Sequence, residues 1–305
     1  MLTSAGKVLI TGGTGTLGHA IIRMAQQEKW DCTFTVYSRS ELRQAEMHAK
    51  FPNVRFILGD VQDAERTAAA ISGHDCVIHA AAMKRIPECE AFPGLCMAIN
   101  VVGSMNVVSA CVTGRVERCI GISTDKACAA ITTYGASKRM MEGIFQGDIA
   151  MFGDTEFTMV RYGNVLESNG SVLLKWQNQH ANTGQITITD PNMTRFWMSE
   201  SEAVRCIKMA STLPQSQIAI PKARGMNILK MAQAFIPGVA VIETGLRSRE
   251  KMHEDLVHPS ENAKRYGDYF ILTPNPEPTG HIYTSDTALQ LTKDDVMEYW
   301  KELHP

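Results

Sequence analysis

No two of the eight cysteines, Cys32, Cys76, Cys89, Cys96, Cys111, Cys119, Cys128 and Cys206, stand in a C-x-x-C spacing. A zinc ribbon or a thioredoxin-type redox pair is therefore not expected. The nine histidines show no ligand spacing such as a helical H-x-x-x-H, so no metal site is expected. Neither sign of charge dominates: 30 Lys+Arg stand against 32 Asp+Glu, a formal charge of -2. No basic excess points to a nucleic-acid partner, and no acidic run forms a tail. No apolar run approaches the ~18–20 residues of a membrane span, so no membrane partner is expected. The N-terminal MLTSAGKVLITGG has no charged region followed by a long apolar one, so no secretory signal is expected. Thiols in apolar contexts read as small buried side chains and fit a reducing cytoplasm. Internal repeats and low-complexity tracts are also missing.

What is present is a globular balance: 305 residues, 44% apolar and 20% charged. That length suits one large domain, or a main domain with a smaller lobe. Lys7–Thr11 (KVLIT) is a β-branched run ending in glycines and predicts a strand. Strands are likewise predicted at Cys32–Tyr37, Val54–Leu58, Cys76–His79, Arg118–Ile122 and Phe157–Arg161. Helices are predicted at Leu17–Lys29, Glu41–Lys50, Ala64–Ile71, Pro87–Val112 and Thr133–Phe152. Strict alternation of strand and helix predicts an α/β fold, a Rossmann-type doubly wound parallel sheet with helices on both faces. After Tyr162 the rhythm breaks into short strands (Gln185–Thr189, Gln217–Ile220), helices and the Pro-rich Pro274–Pro278. The expected division is a dinucleotide-binding domain over 1–162. A smaller substrate-binding lobe over 163–305 would return some segments to the main sheet.

Thr11–Gly18 (TGGTGTLG) follows the first strand and opens the first helix. Its G-x-x-G-x-x-G spacing puts Gly12, Gly15 and Gly18 where a backbone turns tightly and approaches a pyrophosphate, with Thr14, Thr16 and Leu17 around them. The helix N-terminus adds free N–H groups and partial positive charge. An acidic residue closing the second strand would favour NAD. Ser38 and Arg39 stand there instead, so the sequence favours NADP, the alternative being a solvated Arg39. Asp60 and Val61 are expected to frame the adenine. Ala80, Ala81 and Ala82 are small where the backbone passes the cofactor.

Ser123-Thr124-Asp125-Lys126 ends a predicted strand, where ligands of such sheets bind. Tyr134 and Lys138 are four apart on one helix face. A phenol with its ordinary pKa of about 10 is a weak base at neutral pH. A lysine ammonium beside it, with an oxidised nicotinamide, would favour phenolate and let Tyr134 remove a hydroxyl proton. Adjacent Asp125 and Lys126 offer an acid and a base as well. That pair suits loss of water beside a carbon that has become a ketone. Lys126 must be neutral for this, so its surroundings are expected to lower its pKa. The bland alternative is an exposed ion pair. Thr124 either holds the sugar 4-hydroxyl or caps the following segment.

With these residues in hand, the chain resembles the extended short-chain dehydrogenases/reductases. More narrowly, it is similar to the inverting UDP-N-acetylglucosamine 4,6-dehydratases of the pseudaminic-acid type. His79–Pro87 (HAAAMKRIP), Ser123–Lys126 (STDK), Arg161–Val165 (RYGNV), Thr189–Trp197 (TDPNMTRFW) and Gly245–Glu254 (GLRSREKMHE) carry the likeness. The resemblance implies inversion at C5, a UDP-sugar partner and a homo-oligomer, a dimer or hexamer. It also implies a lysine near cofactor and sugar at Lys84. Asn164 at a strand end suits sugar or phosphate oxygens. Thr194, Arg195, Arg247, Arg249 and Lys251 offer a diphosphate polar and cationic partners. Glu250 and His253 are either ligand contacts or polar lobe residues.

Two departures matter. The family reads G-S-R-G-S-V where this chain has Glu167-Ser168-Asn169-Gly170-Ser171-Val172. It reads R-P-G-E-K where this chain has Arg247-Ser248-Arg249-Glu250-Lys251. With Arg249 in place of glycine, either the loop moves or the nucleotide contact is rebuilt. A 4-epimerase and a nucleotide-binding regulator are the competing expectations. The acid–base pair argues against the first and the intact Tyr/Lys pair against the second.

Overall fold

The computed structural model describes residues 6–147, 153–166, 168 and 170–303. Its first half alternates as expected: β1 (Lys7–Thr11), α1 (Thr16–Gln27), β2 (Thr33–Ser38), α2 (Glu41–Lys50), β3 (Arg55–Leu58), α3 (Ala64–Ile71) and β4 (Cys76–His79). Then come α4 (Ile86–Ala91), α5 (Pro93–Met97), a π-helical turn (Ala98–Val102), α6 (Gly103–Thr113), β5 (Arg118–Thr124), α7 (Thr133–Gln146) and β6 (Glu156–Tyr162). Strands such as Val8-Leu9-Ile10, at most 2% exposed, are covered on both faces, which is why they read as continuous apolar runs.

The main sheet has nine strands in the order β14-β15-β10-β6-β5-β4-β1-β2-β3. From β3 to β10 (Ile218–Pro221) all neighbours are parallel; β15 (Tyr269–Leu272) and β14 (Ala263–Tyr266) close the far edge antiparallel. The order reverses between β1 and β4, which opens a crevice at the carboxyl ends of the strands.

The remaining elements pack over that crevice. β7 (Asn164–Val165), β9 (Thr194–Met198) and β11 (Arg224–Asn227) form a small sheet, and β8 (Gln185–Ile188) pairs with β12 (Ala240–Glu243). β13 (Asp255–Val257) pairs with β16 (Tyr283–Thr284). With α8 (Val172–Thr183), α10 (Ile228–Phe235) and α11 (Lys293–Leu303), β8, β9 and β11 enclose a separate core that includes Trp176, Trp197 and Met231, while Leu256, Val257 and Tyr283 of β13 and β16 pack on the main core. α9 (Glu200–Ala210) instead packs on α1.

Three expectations change. The helix predicted over Pro87–Val112 breaks at Phe92, because Pro93 cannot continue it, and from Pro93 it runs on through the π-helical turn to Thr113. The helical run Pro93–Thr113 is, by length and composition, long and apolar enough to cross a membrane: 21 residues, mean hydropathy 1.8. Over half of that window (56%) is buried inside the fold, where Val107, Val108 and Cys111 pack at 0% exposure. The helix predicted over Thr133–Phe152 ends at Gln146, with Gly147 as its C-cap, and residues 148–152 lie outside the described residues.

Candidate active site

A cavity of about 1290 Å³ fills the crevice. Its cofactor end is built by the glycine loop. Gly12 has φ +66, and a Cβ there would lie 2.7 Å from Ala81 Cα, so only glycine fits. Gly15 caps α1 without a side-chain bond, and no acidic residue occupies the first turn. That leaves the helix N-terminus open to an anion. Gly12, Thr14, Gly15, Thr16, Leu17, Ala80, Ala81 and Ala82 all line the cavity. Gly18 does not: a Cβ there would sit 1.9 Å from Gly13 O, so its role is close packing of α1 on the loop.

Beneath the loop, His79 joins Thr11 Oγ1 (2.8 Å) to Ser104 Oγ (3.0 Å), and Ala81 N donates to Thr11 Oγ1 (3.2 Å). Asn100, in the π-helical turn, holds the next stretch. Its amide oxygen accepts from Met83 N (2.7 Å), and its Nδ2 donates to Met83 O (2.8 Å) and Ser137 Oγ (2.9 Å) on α7. The loop after β4 is thereby tied to the helix that carries Tyr134.

At the adenosine end, Ser38, Arg39, Arg43, Asp60 and Val61 line the wall. Arg39 is 3.6 Å from Asp60, so it is a paired though exposed cation. These features fit a dinucleotide: a glycine cradle, an open helix N-terminus and cations at the ribose end.

The reactive centre lies where β5 ends. The strand runs two residues further than expected, to Thr124, and a short 3₁₀ turn carries Asp125–Ala127. Thr124 lines the cavity; its Oγ1 donates to Asp125 Oδ1 (2.9 Å) and accepts from Lys126 N (3.4 Å). It therefore caps the turn and faces the site at once. Thr132 caps α7 by accepting from Gly135 N (3.0 Å), and Glu90 accepts from Thr133 N (2.7 Å), which fixes the turn that bears Tyr134.

Lys126, Tyr134 and Lys138 line the cavity, but Asp125 stands behind them at 0% exposure. Its Oδ2 is buried without a hydrogen-bond partner among the described residues, while Oδ1 accepts from Lys126 Nζ at 3.0 Å. Of the two carboxylates beside Lys126, the one that faces the cavity is Glu254, with Oε1 3.3 Å from Lys126 Nζ and 3.8 Å from Arg195 Nε. Sequence reasoning missed Glu254 as a site residue. The one signal in the sequence is that Glu254 ends a segment already singled out; that Lys126 and Arg195, with side chains 18% and 10% exposed, need carboxylates shows only in the fold.

Electrostatics reverse two expectations. Burial works against the Lys126 ammonium, yet Asp125 and Glu254 outweigh it and hold Lys126 above the usual lysine range. Burial, reinforced by Glu254, lifts the Asp125 carboxyl despite Lys126. Burial pushes Tyr134 up to about 12, against the pull of Lys126 and a hydrogen bond with Thr124. The expected Lys138 partnership is not made here: Lys138 Nζ donates to Met141 Sδ (2.7 Å), and burial lowers it to about 8.

At the opposite end, Lys84, Asn164, Arg195, Arg247, Arg249, Glu250 and Lys251 line the cavity. Thr194 does not; it is 8% exposed and bonds His253 Nδ1 (2.8 Å) and Ser285 Oγ (2.7 Å), so Thr194 and His253 brace the lobe. Lys251 is occupied by Cys128 O (2.7 Å) and Asp255 (2.9 Å). Arg249 keeps a left-handed backbone, φ 60, at the position where glycine was expected. The loop therefore retains the turn, and the added guanidinium reaches Glu90 at 3.2 Å. Glu167 and Asn169 lie outside the described residues.

Comparison with known proteins agrees with this architecture. A family model described as "Polysaccharide biosynthesis protein" matches residues 8–274. A UDP-N-acetylglucosamine 4,6-dehydratase (inverting) of Campylobacter jejuni is 37% identical over 276 residues, 88% of this chain and 83% of that one. A UDP-glucose 4-epimerase of Rickettsia canadensis is 34% identical, over 86% of this chain and 81% of its own. The X-ray structure of Pen from Bacillus thuringiensis superposes with a TM-score of 0.90 at 30% identity, covering 99% of each chain. The chain belongs to the polysaccharide biosynthesis protein family, on a Rossmann-type short-chain dehydrogenase/reductase fold.

Proposed function

We propose that the protein dehydrates UDP-N-acetylglucosamine to a UDP-4-keto-6-deoxy-N-acetylhexosamine with inversion at C5, using NADP. The observation that carries this reading is the Thr124–Asp125–Lys126 chain beside Tyr134, with Asp125 Oδ1 2.9 Å from Thr124 Oγ1 and 3.0 Å from Lys126 Nζ. Proton removal at C4 alone needs only Tyr134 and its neighbours. A hidden acid coupled to a cavity-facing amine is what loss of water adds. The 37% identity to an inverting dehydratase supports the same choice.

A bound nicotinamide supplies the hydride acceptor and donor. Tyr134 takes the proton of the 4-hydroxyl. Lys126 takes the C5 proton once C4 is a ketone. The proton for the departing 6-hydroxyl reaches the cavity from Asp125 through the Thr124 hydroxyl. Ser38, Arg39 and Arg43 at the ribose end favour a 2′-phosphate and hence NADP. Arg195, Arg247 and Arg249 suit a diphosphate. Free thiols at all eight cysteines support a reducing, cytoplasmic setting, and the resemblance supports a homo-oligomer.

The 34% identity to a 4-epimerase favours a second reading, and one variant separates the two. With UDP-N-acetylglucosamine and NADP, Lys126→Ala is expected to lose dehydration by at least about 100-fold, read as loss of one water by mass spectrometry. Epimerisation left intact in that variant, with no dehydration in the wild type, would move the protein to the epimerase reading.

A further inference from the structure

Lys126 is held between two carboxylates, only one of which faces the substrate. Nζ lies 3.0 Å from Asp125 Oδ1 and 3.3 Å from Glu254 Oε1. Glu254 is 4% exposed and its backbone is fixed, with N donating to Ser285 Oγ (3.0 Å) and O accepting from Ser285 N (2.9 Å). Such a buried, braced carboxylate is too costly to be incidental unless its charge is used. We propose that Glu254 is a positioning residue for dehydration, whose carboxylate anchors the Lys126 amine toward the sugar and sets where the Asp125–Lys126 pair keeps its proton. This rests on the dehydratase reading.

The proton balance is closed. Transfer of one proton from Lys126 Nζ to Asp125 Oδ1 converts an ion pair into a free amine and a carboxylic acid. The amine then takes the C5 proton, and the C5–H electron pair forms the C5–C6 double bond. The C6–O bond breaks, and the 6-hydroxyl leaves as water with the proton that Asp125 releases through Thr124. Ammonium and carboxylate are restored.

Throughout, Glu254 stays ionised. Burial disfavours its charge, but Lys126, Arg195 and Lys251 outweigh it and hold the carboxyl below its usual value. The charged and titratable groups facing the pair are Glu254 from the segment before β13, Arg195 from β9 and Tyr134 from α7. Lys251, paired to Asp255, lies one step further out. Of these, Glu254 alone adds negative charge next to both Asp125 and Lys126, so it raises the proton affinity of each.

The test is Glu254→Gln, which keeps the shape and removes the charge, beside Glu254→Asp, which keeps the charge. In Glu254→Gln, both limbs of the kcat–pH profile for UDP-N-acetylglucosamine should move down by about one pH unit, with KM unchanged. The Asp125 carboxyl carbon, assigned by its loss in Asp125→Asn, should titrate lower in the ligand-free protein by a similar amount. Glu254→Asp should leave both where the wild type has them. An Asp125 titration unmoved in Glu254→Gln, or moved equally in Glu254→Asp, overturns the role given to Glu254. A wild type that dehydrates no UDP-N-acetylglucosamine overturns the dehydratase reading instead, and the carboxyl titration still reports on Glu254.

Discussion

His79 illustrates how a residue beside the site serves it by staying neutral. Burial, with Lys138 adding repulsion, pushes it down to about 3, so the folded protein keeps an uncharged ring bridging Thr11 and Ser104. In the unfolded chain the ring titrates near 6.5. Below that pH the unfolded state binds a proton that the folded state refuses. Stability therefore falls as pH drops from about 6.5 toward 3, by up to about 1.4 kcal/mol per unit. Urea unfolding at a series of pH values should show this slope, and His79→Asn should flatten it; an equal slope in both proteins would refute the assignment. Arg249 is the opposite case, a residue kept at a cost. A non-glycine residue at φ 60 loses about 1 kcal/mol, yet its side chain spans the cavity mouth to Glu90.

Among the elements, α7 is held from two sides. Its Glu142 pairs with Arg161 of β6 through Nε (2.9 Å) and Nη2 (2.7 Å), and accepts from Ser123 Oγ (2.6 Å). The same guanidinium bonds Glu261 at 2.8 and 2.9 Å and Leu256 O at 3.1 Å. Arg161 is 0% exposed. Arg161→Met should cost about 3–5 kcal/mol in chemical denaturation, because it strands two carboxylates. A loss below 1 kcal/mol, on the scale of an exposed pair, would show that the hub is not structural.

The legible part of the molecule follows from these packing rules. β1 and β4 were readable because strands covered on both faces carry apolar runs, and the glycine loop because its turn leaves no room for Cβ. In the later half, β8 and β10 were legible at Gln185–Thr189 and Gln217–Ile220, but two-residue strands such as β7 carry no periodicity. Within the site, Thr124, Lys126, Tyr134 and Lys138 were found by spacing. Asp125 and Thr194 were expected in the cavity and stand behind it, because sequence adjacency does not say which side chain turns inward. Glu254 comes from a point 128 residues after Lys126, joined to it only by charge.

On the scale of the whole molecule, the later half of the chain does two things. It completes the sheet edge with β10, β15 and β14, and it lays Arg195, Glu254 and the loop around Arg249 over the carboxyl ends of β1, β4 and β5. Glycine loop, Thr124–Asp125–Lys126 chain and cationic wall thus border one cavity, as the proposed oxidation, dehydration and reduction of a single bound sugar requires. That claim is tested most directly by proton NMR of the protein with UDP-N-acetylglucosamine and NADP in heavy water. The account predicts a 4-keto-6-deoxy product carrying deuterium at C5 with the C5 configuration inverted. A product with that configuration retained, or a sugar changed only at C4, would contradict it.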